Sequence, residues 1–261
     1  MINLMIYISP NKKFESKDFN NEISILPKIQ IDNSLRLGMN NIMLVTNFNY
    51  EYKGVKAIVV PDDCYCEFRA TASKLKTIIY LINNKMINEL CWYHDLDAFQ
   101  LGKITNEEIL EELNNRFIGM TDYGKSSINS QRDLRWSTGS IFFNNRCINL
   151  LDIWWKLTND YKVNEEISLL ELLKKYRYRY FVDSIKKINI TYNLATRKRD
   201  VLTCYNMARK PLKVIHFHLH DDRKLDYEKG NNIDVCIKGK SRIGKPLVTP
   251  ELINIFNQYE N

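Results

Sequence analysis

The first half of the chain alternates short apolar runs with one longer, periodic segment. Leu4–Ile8, Ile42–Val45, Ala57–Val60 and Leu90–Tyr93 are apolar runs of strand length, and polar or turn-forming residues follow each of them. Residues 67–87 repeat apolar side chains at three- and four-residue spacing, which predicts a helix with one buried face. That face consists of Phe68, Leu75, Ile79, Ile82 and Met86. Strands that alternate with helical sequence are typical of an α/β fold.

The second half continues this pattern around a polar break. Thr105-Asn106-Glu107-Glu108 is a capping box, which predicts the start of a helix. Residues 121–136 are polar and rich in turn formers, which predicts a substrate-facing loop, and residues 228–246 predict another loop. The other predicted elements are, in chain order, a helix with Ile109–Leu113, a strand Phe117–Met120, a strand Gly139–Phe143, helices Ile148–Leu157 and Ser168–Tyr176, a strand Lys213–His218 and a helix Pro250–Ile255. No repeat or composition break divides the chain, so we expect a single domain over residues 1–261.

Composition narrows the class of protein. The 261 residues are 44% hydrophobic and 26% charged, which is ordinary for a soluble globular domain. No apolar stretch approaches the roughly 20 residues that a membrane span requires. Residues 1–10 lack a basic leader and predict a first strand, not a signal peptide. The six cysteines lack zinc-type spacing, so we expect reduced thiols and a cytoplasmic protein. The net charge of +7 favours anionic partners such as nucleotides, phosphorylated glycans, nucleic acid or acidic lipid surfaces.

Two carboxylates follow the fourth predicted strand. Asp95 and Asp97 are separated by one residue, and hard cations such as Mg²⁺ or Mn²⁺ bind carboxylate oxygens while sharing substrate phosphates. Ligands of open α/β sheets bind outside the carboxyl ends of the strands, where Ser9 and Thr46 are also expected. The sequence therefore predicts a cation and ligand site at this edge of the sheet.

Three of the four histidines form the run His216-Phe217-His218-Leu219-His220. Alternate residues of a strand share a face, so His216 and His218 should point the same way. Hydrogen-bonded strand histidines explain each one alone, but the run together with the two aspartates favours a metal site, and imidazole suits Mn²⁺ better than Mg²⁺. The chain lacks a glycine-rich phosphate loop, so a nucleotide diphosphate would need a metal ion and basic side chains.

Taken in order, five segments resemble the GT-A-fold glycosyltransferases, which are metal-dependent enzymes that use nucleotide-sugar donors. The segments are the N-terminal strand, Val45-Thr46-Asn47, Trp92–Asp97, Ser137–Asn144 and Lys213–His218. The resemblance covers about residues 3–225 and is nearest in style to small enzymes of large DNA viruses and phages, which would place a viral protein in the host cytoplasm. It implies a Rossmann-like mixed central sheet flanked by helices. The implied parts are a nucleotide-binding half at about 1–100, an acceptor half at about 101–225, and a C-terminal loop and helix at 226–261.

The resemblance also implies roles for individual residues in transfer of a sugar to a glycan or other hydroxyl acceptor. Asp95, Asp97 and His216 would hold the metal, with His218 as the alternative to His216, and Asp95 would partly serve the donor ribose. The resemblance further implies that Gly139 and Ser140 lie beside the donor sugar and that Arg69 or Lys74 contacts the nucleotide or phosphate. Ser9 and Thr46, at the strand ends, are the other candidate contacts to the nucleotide sugar. The sequence departs from the best-known retaining pattern, because no Lys-Pro-Trp follows the histidines, so no phosphate-binding lysine is assigned there.

An inverting enzyme also needs a carboxylate that takes the proton of the acceptor hydroxyl. Glu165, Glu166 and Asp183 are the candidates for this base. A solvated surface acid explains each of them alone more simply, and Glu165-Glu166 also suit the dipole of a following helix. The sequence leaves open the stereochemistry, the donor sugar, the acceptor and the oligomeric state.

Three alternatives compete with this function. The positive charge also suits a modified DNA base as the acceptor. The alternation of Tyr and Arg over Tyr176–Tyr180 is a mixture that nucleic-acid-binding proteins use, which would fit a non-catalytic binder. A metal phosphohydrolase built on His94-Asp95 would need further histidines upstream, and none precedes His94.

Overall fold

A computed structural model describes residues 1–9, 26–122, 136–174, 181, 183–195, 201–217 and 248–259. The strands are β1 (Ile2–Tyr7), β2 (Ile42–Thr46), β3 (Glu51–Tyr52), β4 (Val55–Lys56), β5 (Ile58–Val59), β6 (Cys91–His94), β7 (Ala98–Gln100), β8 (Ile118–Asp122), β9 (Trp136–Phe143), β10 (Ile185–Lys187), β11 (Leu194–Ala195) and β12 (Val214–His216). The α-helices are α1 (Leu26–Arg36), α2 (Ser73–Asn83), α3 (Asn106–Leu113), α4 (Ile148–Tyr161), α5 (Glu165–Lys174), α6 (Val201–Met207) and α7 (Pro250–Asn257).

The centre of the fold is a mixed sheet of seven strands in the order β10-β8-β9-β6-β1-β2-β5. β1 pairs in parallel with β2 and β6, β2 pairs in parallel with β5, and β10 pairs in parallel with β8. β9 is antiparallel to both of its neighbours, β6 and β8. The other six strands therefore run in one direction, and their carboxyl ends share one edge, which we call the carboxyl edge. The predicted α/β class with a mixed central sheet is confirmed.

Helices cover both faces of this sheet because successive side chains of each strand point to opposite faces. On one face, Leu4, Tyr93 and Ile141 belong to a core cluster that includes apolar residues of α2, α4 and α5. On the other face, Met5 packs with Ile31 of α1 in a smaller cluster. The site at the carboxyl edge is thus built on strands that are buried from both sides.

The helix before the acid motif is shorter than the predicted span of residues 67–87. It covers Ser73–Asn83, after a 3₁₀ turn at Ala70–Ala72. Its buried residues include Leu75, Ile78 and Leu81, whereas Met86, predicted to face the core, is 37% exposed. Apolar residues at 75, 78, 79, 81 and 82 span a wide arc, so their spacing alone does not fix which side turns inward.

Two elements that the apolar pattern does not predict border the acid motif. The buried side of α1 carries Gln30, Asn33 and Ser34, so the helix has no continuous apolar stripe. β7 has only three residues, and it pairs with β12 in a second, three-stranded sheet of order β11-β12-β7. Short elements and polar inner faces are the cases in which hydrophobic periodicity carries least information.

Other predicted boundaries shift by a few residues. Thr105 accepts a hydrogen bond from the Glu108 N–H at 3.3 Å, which confirms the predicted N-cap of α3. The sequence predicts that Asp122 and Trp136 lie in a loop, but Asp122 ends β8 and Trp136 begins β9. The rest of that predicted loop, residues 123–135, lies outside the described residues. The predicted loop at 228–246 also lies outside them, within residues 218–247. α5 begins at Glu165, three residues before the predicted start. Within the described ranges, none of the helices has the length and apolarity needed to span a bilayer.

Candidate metal and nucleotide-sugar site

The parallel strands bring the predicted polar residues to the carboxyl edge. Asn47, just after β2, accepts a hydrogen bond from the Ser9 N–H at 2.9 Å and donates to the Ser9 carbonyl at 2.8 Å. The same amide donates to the carboxylate of Asp62 at 3.1 Å. The chain segments that leave β1, β2 and β5 are therefore tied to each other by one side chain. Thr46 is buried and donates its hydroxyl hydrogen to the Phe48 carbonyl, so its contacts are local.

The two aspartates meet His216 through the pairing of β7 with β12. These strands are antiparallel, and Ala98 lies opposite His216. This register places the imidazole beside the residue that precedes Ala98, and the His216 Nε2 atom lies 3.1 Å from Asp97 Oδ1. The same nitrogen is 3.9 Å from Asp95 Oδ2. Asp97 and His216, which are 119 residues apart in the chain, thus converge with Asp95 on one point.

The converging atoms suit a divalent cation. One ligand atom from each of Asp95, Asp97 and His216 lies within 4.8 Å of the others. Ligands at right angles on a cation, each roughly 2.1 Å from it, are roughly 3 Å apart, close to the observed separation of His216 and Asp97. A mixed oxygen and nitrogen donor set is suited to Mn²⁺, and other ligand positions would remain for substrate oxygens.

Gly139 provides the space that His216 occupies. A Cβ atom at position 139 would lie 2.1 Å from His216 Cε1, 2.4 Å from His216 Nδ1 and 3.2 Å from Asp95 Oδ2. Carbon atoms in ordinary contact are about 3.5–4.0 Å apart, so any side chain would collide with the imidazole. The Gly139 carbonyl also accepts the Asp95 N–H at 2.9 Å, which fixes the start of the acid motif against β9.

Lys74 lies under Asp95 as a buried ammonium group. Its Nζ atom is 3.1 Å from Asp95 Oδ1 and 3.3 Å from Glu165 Oε1, and it donates to the hydroxyl and the carbonyl oxygen of Thr138, each at 3.2 Å. Burial opposes its charge, but Asp95, Tyr93 and Glu165 outweigh that effect and raise the pKa of Lys74 well above its usual value. Its three N–H groups are therefore used by the protein.

The partners of Asp95 keep it ionised. Burial favours its neutral form, but Lys74 and His216 oppose burial and lower the pKa of Asp95. Tyr93 donates its hydroxyl hydrogen to the same oxygen, Oδ1, that Lys74 contacts. One carboxylate oxygen is thus held by protein donors, and the other, Oδ2, faces His216. Burial also lowers the pKa of His216, but the carboxylate of Asp97 outweighs it and raises that pKa above the usual value.

His94 faces away from this cluster. Its Nε2 atom is 2.9 Å from Asn3 Oδ1, its Nδ1 atom is 3.2 Å from the Asp95 carbonyl, and its ring stacks on Trp92 at 4.3 Å between centroids. Burial lowers the pKa of His94 to about 4, so the ring is neutral. The structure therefore does not favour the phosphohydrolase alternative, which needs this imidazole at the metal.

The other predicted contacts to the nucleotide sugar fall into different surroundings. Ser140 is buried and accepts a hydrogen bond from Trp92 Nε1 at 2.8 Å, so its hydroxyl is used within the core. Arg69 is exposed just before the 3₁₀ turn that precedes α2. His218 lies outside the described residues.

Two of the three carboxylates predicted as catalytic bases, Glu165 and Glu166, contact Thr138, whereas Asp183 lies apart from them. Glu165, 2% exposed, contacts Lys74 and accepts the hydroxyl hydrogens of Thr138 at 3.1 Å and Thr71 at 3.0 Å. Glu166 is half-buried and accepts the Thr138 N–H at 3.1 Å. Asp183 precedes β10, at the edge opposite to the carboxyl edge, and its side chain is 81% exposed near Arg116. The structure does not bring Asp183 together with the metal cluster.

Comparisons with known proteins agree on the fold. No protein-family model matches the chain, and no curated protein sequence matches it. A solved structure of the galactosyltransferase LgtC with donor and acceptor sugar analogues aligns with 99% of this chain and 96% of its own, at 8% identity and a TM-score of 0.53. An active-site mutant of LgtC aligns at 12% identity over 83% of this chain and 86% of its own, with a TM-score of 0.51.

A third solved structure, of a glycosyltransferase for a viral capsid, also has a similar fold. A glycosyltransferase involved in glycosylation of the major capsid of PBCV-1 aligns with 84% of this chain and 94% of its own, at 11% identity and a TM-score of 0.53. At such low sequence identity, structural similarity shows the fold but not the chemistry. The chain therefore has the GT-A fold, which is the fold of these glycosyltransferases.

Proposed function

We propose that this protein is a metal-dependent glycosyltransferase, which moves a sugar from a nucleotide-diphosphate sugar to a hydroxyl group of a glycan or other acceptor. One observation carries the proposal: Asp95, Asp97 and His216 converge within 4.8 Å at the carboxyl edge of a GT-A sheet. Ligand sites of open α/β sheets are found at this edge. The names of the similar structures, a galactosyltransferase and a capsid glycosyltransferase, support sugar transfer.

The chemistry of sugar transfer explains why a cation site is useful here. The glycosidic bond to the diphosphate breaks as the sugar gains positive character, and negative charge develops on the leaving diphosphate. A bound Mn²⁺ or Mg²⁺ ion would act as a Lewis acid toward that charge. Asp97 and His216 would hold the ion directly, and Asp95 would contribute Oδ2 while Lys74 and Tyr93 keep Oδ1 in place. The imidazole favours Mn²⁺ over Mg²⁺.

The rest of the carboxyl edge would bind the nucleotide sugar. Ser9 and Thr46 lie at the ends of β1 and β2, which places them in the proposed nucleotide-binding half at about residues 1–100. Arg69 is the exposed basic group on the approach to α2, whereas the donors of Lys74 are already used within the protein. We therefore assign a diphosphate contact to Arg69 and a supporting role to Lys74.

The acceptor is proposed to be a glycan or another hydroxyl compound, which the acceptor half at about residues 101–225 would bind. None of the three similar structures is described as acting on DNA. The Tyr176–Tyr180 segment, on which the nucleic-acid-binding alternative depends, lies outside the described residues. Glu166 is the better placed of the base candidates, because Glu165 is buried against Lys74 and Asp183 is at the opposite edge.

Metal-dependent donor hydrolysis tests the proposal. The purified protein is incubated with a panel of nucleotide sugars, with Mn²⁺ or with a chelator, and release of nucleoside diphosphate is measured. We expect slow release with at least one donor, which the chelator abolishes and Asp97→Asn reduces at least 100-fold. Asp160→Asn, the same substitution at an exposed position of α4, is the matched control and should behave like the wild type. Release that is unaffected by chelator or by Asp97→Asn would contradict the proposal.

A further inference from the structure

The polar face of α1 holds the backbone of the acid motif. Gln30 has no exposed surface, and its amide Nε2 donates to the Leu96 carbonyl at 2.8 Å and to the Ala98 carbonyl at 3.1 Å. These two carbonyls flank Asp97 on either side. A primary amide nitrogen carries two hydrogens, so both donors of Gln30 are used on this one turn.

The remaining carbonyls of the turn are satisfied by the turn itself and by the β12 side. The Asp95 carbonyl accepts the Ala98 N–H at 2.9 Å, and the Asp97 carbonyl accepts the Phe217 N–H at 3.0 Å. Each carbonyl from Asp95 to Ala98 thus has a donor, and Gln30 supplies two of the four. Buried carbonyls without donors are costly, so the turn depends on these contacts for its shape.

The orientation of the Gln30 amide follows from its surroundings. If the amide were turned over, its oxygen would face two carbonyl oxygens in a buried site, which is electrostatically unfavourable. The amide nitrogen therefore faces the turn. No titratable group is needed for this contact, so it holds at any pH at which the protein is folded.

We propose that Gln30 is a positioning residue for the metal ion: it fixes the turn that presents Asp95 and Asp97 at the distance that His216 requires. This inference rests on the proposed function. The turn accepts hydrogen bonds from two sides, from Gln30 of α1 and from the Phe217 N–H just after β12. Asp97 is centred between the two Gln30 contacts, and its Oδ1 is 3.1 Å from the His216 nitrogen. Loss of the Gln30 donors leaves this distance less well defined.

Direct Mn²⁺ binding, followed by electron paramagnetic resonance and by calorimetry, tests the proposal without any nucleotide sugar. Gln30→Met has a similar length and no donors, and Gln30→Glu keeps the shape but places a carboxylate against two carbonyls. We expect both variants to bind Mn²⁺ at least 10-fold more weakly than the wild type, because outer-sphere partners of metal ligands typically contribute 10- to 100-fold in affinity.

Asn33→Leu is the matched control. Asn33 is on the same buried face of α1, and its amide donates to the Gln100 carbonyl at 2.7 Å, beyond the turn. The control removes a comparable buried hydrogen bond, so it should lower the denaturant midpoint while leaving Mn²⁺ affinity within twofold of the wild type. Thermal unfolding of each variant without metal establishes that it is folded, and Gln30→Glu serves if Gln30→Met does not fold.

The outcomes separate the two proposals. If the wild type binds Mn²⁺ and the folded Gln30 variants bind it equally well, the positioning role is wrong and the proposed function stands. If Asn33→Leu weakens Mn²⁺ as much as Gln30→Met, the effect belongs to general stability and the specific role of Gln30 is also wrong. If the wild type does not bind Mn²⁺, the metal-dependent function fails, and the positioning role fails with it.

Discussion

Gly139→Ala tests the geometry of the metal cluster with one methyl group. The added Cβ would lie 2.1 Å from His216 Cε1 and 2.4 Å from its Nδ1 atom. Because carbon atoms rarely approach closer than about 3.5 Å, the ring must move by roughly 1.5 Å, or the backbone of β9 must yield. A shift of that size along the ring plane would break the 3.1 Å contact between His216 Nε2 and Asp97 Oδ1.

Gly139→Ala is expected to lower both the stability of the protein and its affinity for Mn²⁺. Overpacking a buried site costs about 1–3 kcal/mol in the free energy of unfolding. Displacement of the imidazole removes or misplaces one of the three protein ligands, and we expect Mn²⁺ affinity to fall about 10- to 100-fold, as it does when a metal ligand loses its orientation. Calorimetry measures the affinity, and urea unfolding in a chelator measures the stability of the metal-free protein.

Gly102→Ala is the control, because the nearest atom to its added Cβ is the Lys213 Cδ atom at 3.7 Å, an ordinary contact. His216→Ala gives a second check. Without the imidazole, an alanine at 139 has no ring to displace, so Gly139→Ala should cost almost nothing further in a His216→Ala background. Wild-type Mn²⁺ affinity in Gly139→Ala, or additive losses in the double variant, would refute the reasoning.

Two further substitutions address the charges around the site. Lys74→Met leaves Asp95 and Glu165 without their buried counter-charge, and we expect a loss of about 3–5 kcal/mol in urea unfolding at pH 7. The raised pKa of Lys74 means that its contribution is fully present below its ordinary pKa and is lost only as pH rises through the higher, folded-state value, so a loss that disappears between pH 7 and 9 would contradict this account. Asp183→Asn changes an exposed side chain at the opposite edge, whose contact with Arg116 at 3.9 Å is worth at most about 1 kcal/mol. Its donor hydrolysis and urea midpoint should match the wild type, and a large loss of turnover would restore Asp183 as a candidate base.

The sequence predicts the strands of the site better than the contacts between them. β1, β2 and β6 are apolar runs of β-rich residues, so their positions follow from hydrophobic patterning, whereas for β9 the pattern predicts only Gly139–Phe143. The order in which parallel strands assemble then places Ser9, Thr46 and Asp95 at one edge. Those inferences use only local sequence and general rules of α/β folds, and the structure agrees with them.

The supporting residues could not be predicted in this way. The buried side of α1 carries Gln30, Asn33 and Ser34 as well as Ile29 and Ile31, so polar residues interrupt its apolar pattern. The amides of Gln30 and Asn33 donate to the carbonyls of Leu96, Ala98 and Gln100, and the Ser34 hydroxyl accepts a hydrogen bond from the Asn3 amide. The three carbonyls lie 66 to 68 residues away from these amides in the chain, and no local rule anticipates such a match.

The assignment of Lys74 shows how burial changes the meaning of a basic residue. The resemblance to GT-A enzymes implies that a basic residue on the helix before the acid motif contacts the nucleotide or phosphate. In the structure Lys74 is 4% exposed and its donors are used by Asp95, Thr138 and Glu165. A lysine that binds a phosphate needs a free N–H donor at the surface. Whether Lys74 has one depends on which side of α2 is buried, and the wide apolar arc of that helix does not fix this side.

The charges of the assembled site explain why the full cluster indicates a cation site more strongly than the two aspartates of the acid motif do alone. Asp95 and Asp97 carry two negative charges at the point of convergence, and Glu165 adds a third behind Lys74, which offsets one of the three. With His216 neutral, as a metal ligand must be, the formal charge of these groups is −2. Carboxylates packed this closely repel each other unless a cation compensates them. A divalent ion supplies that compensation with two charges and can also bind diphosphate oxygens at its remaining ligand positions. Lys74 therefore offsets part of the carboxylate charge before a cation binds, and an ion bound there would keep more of its attraction for the anionic leaving group.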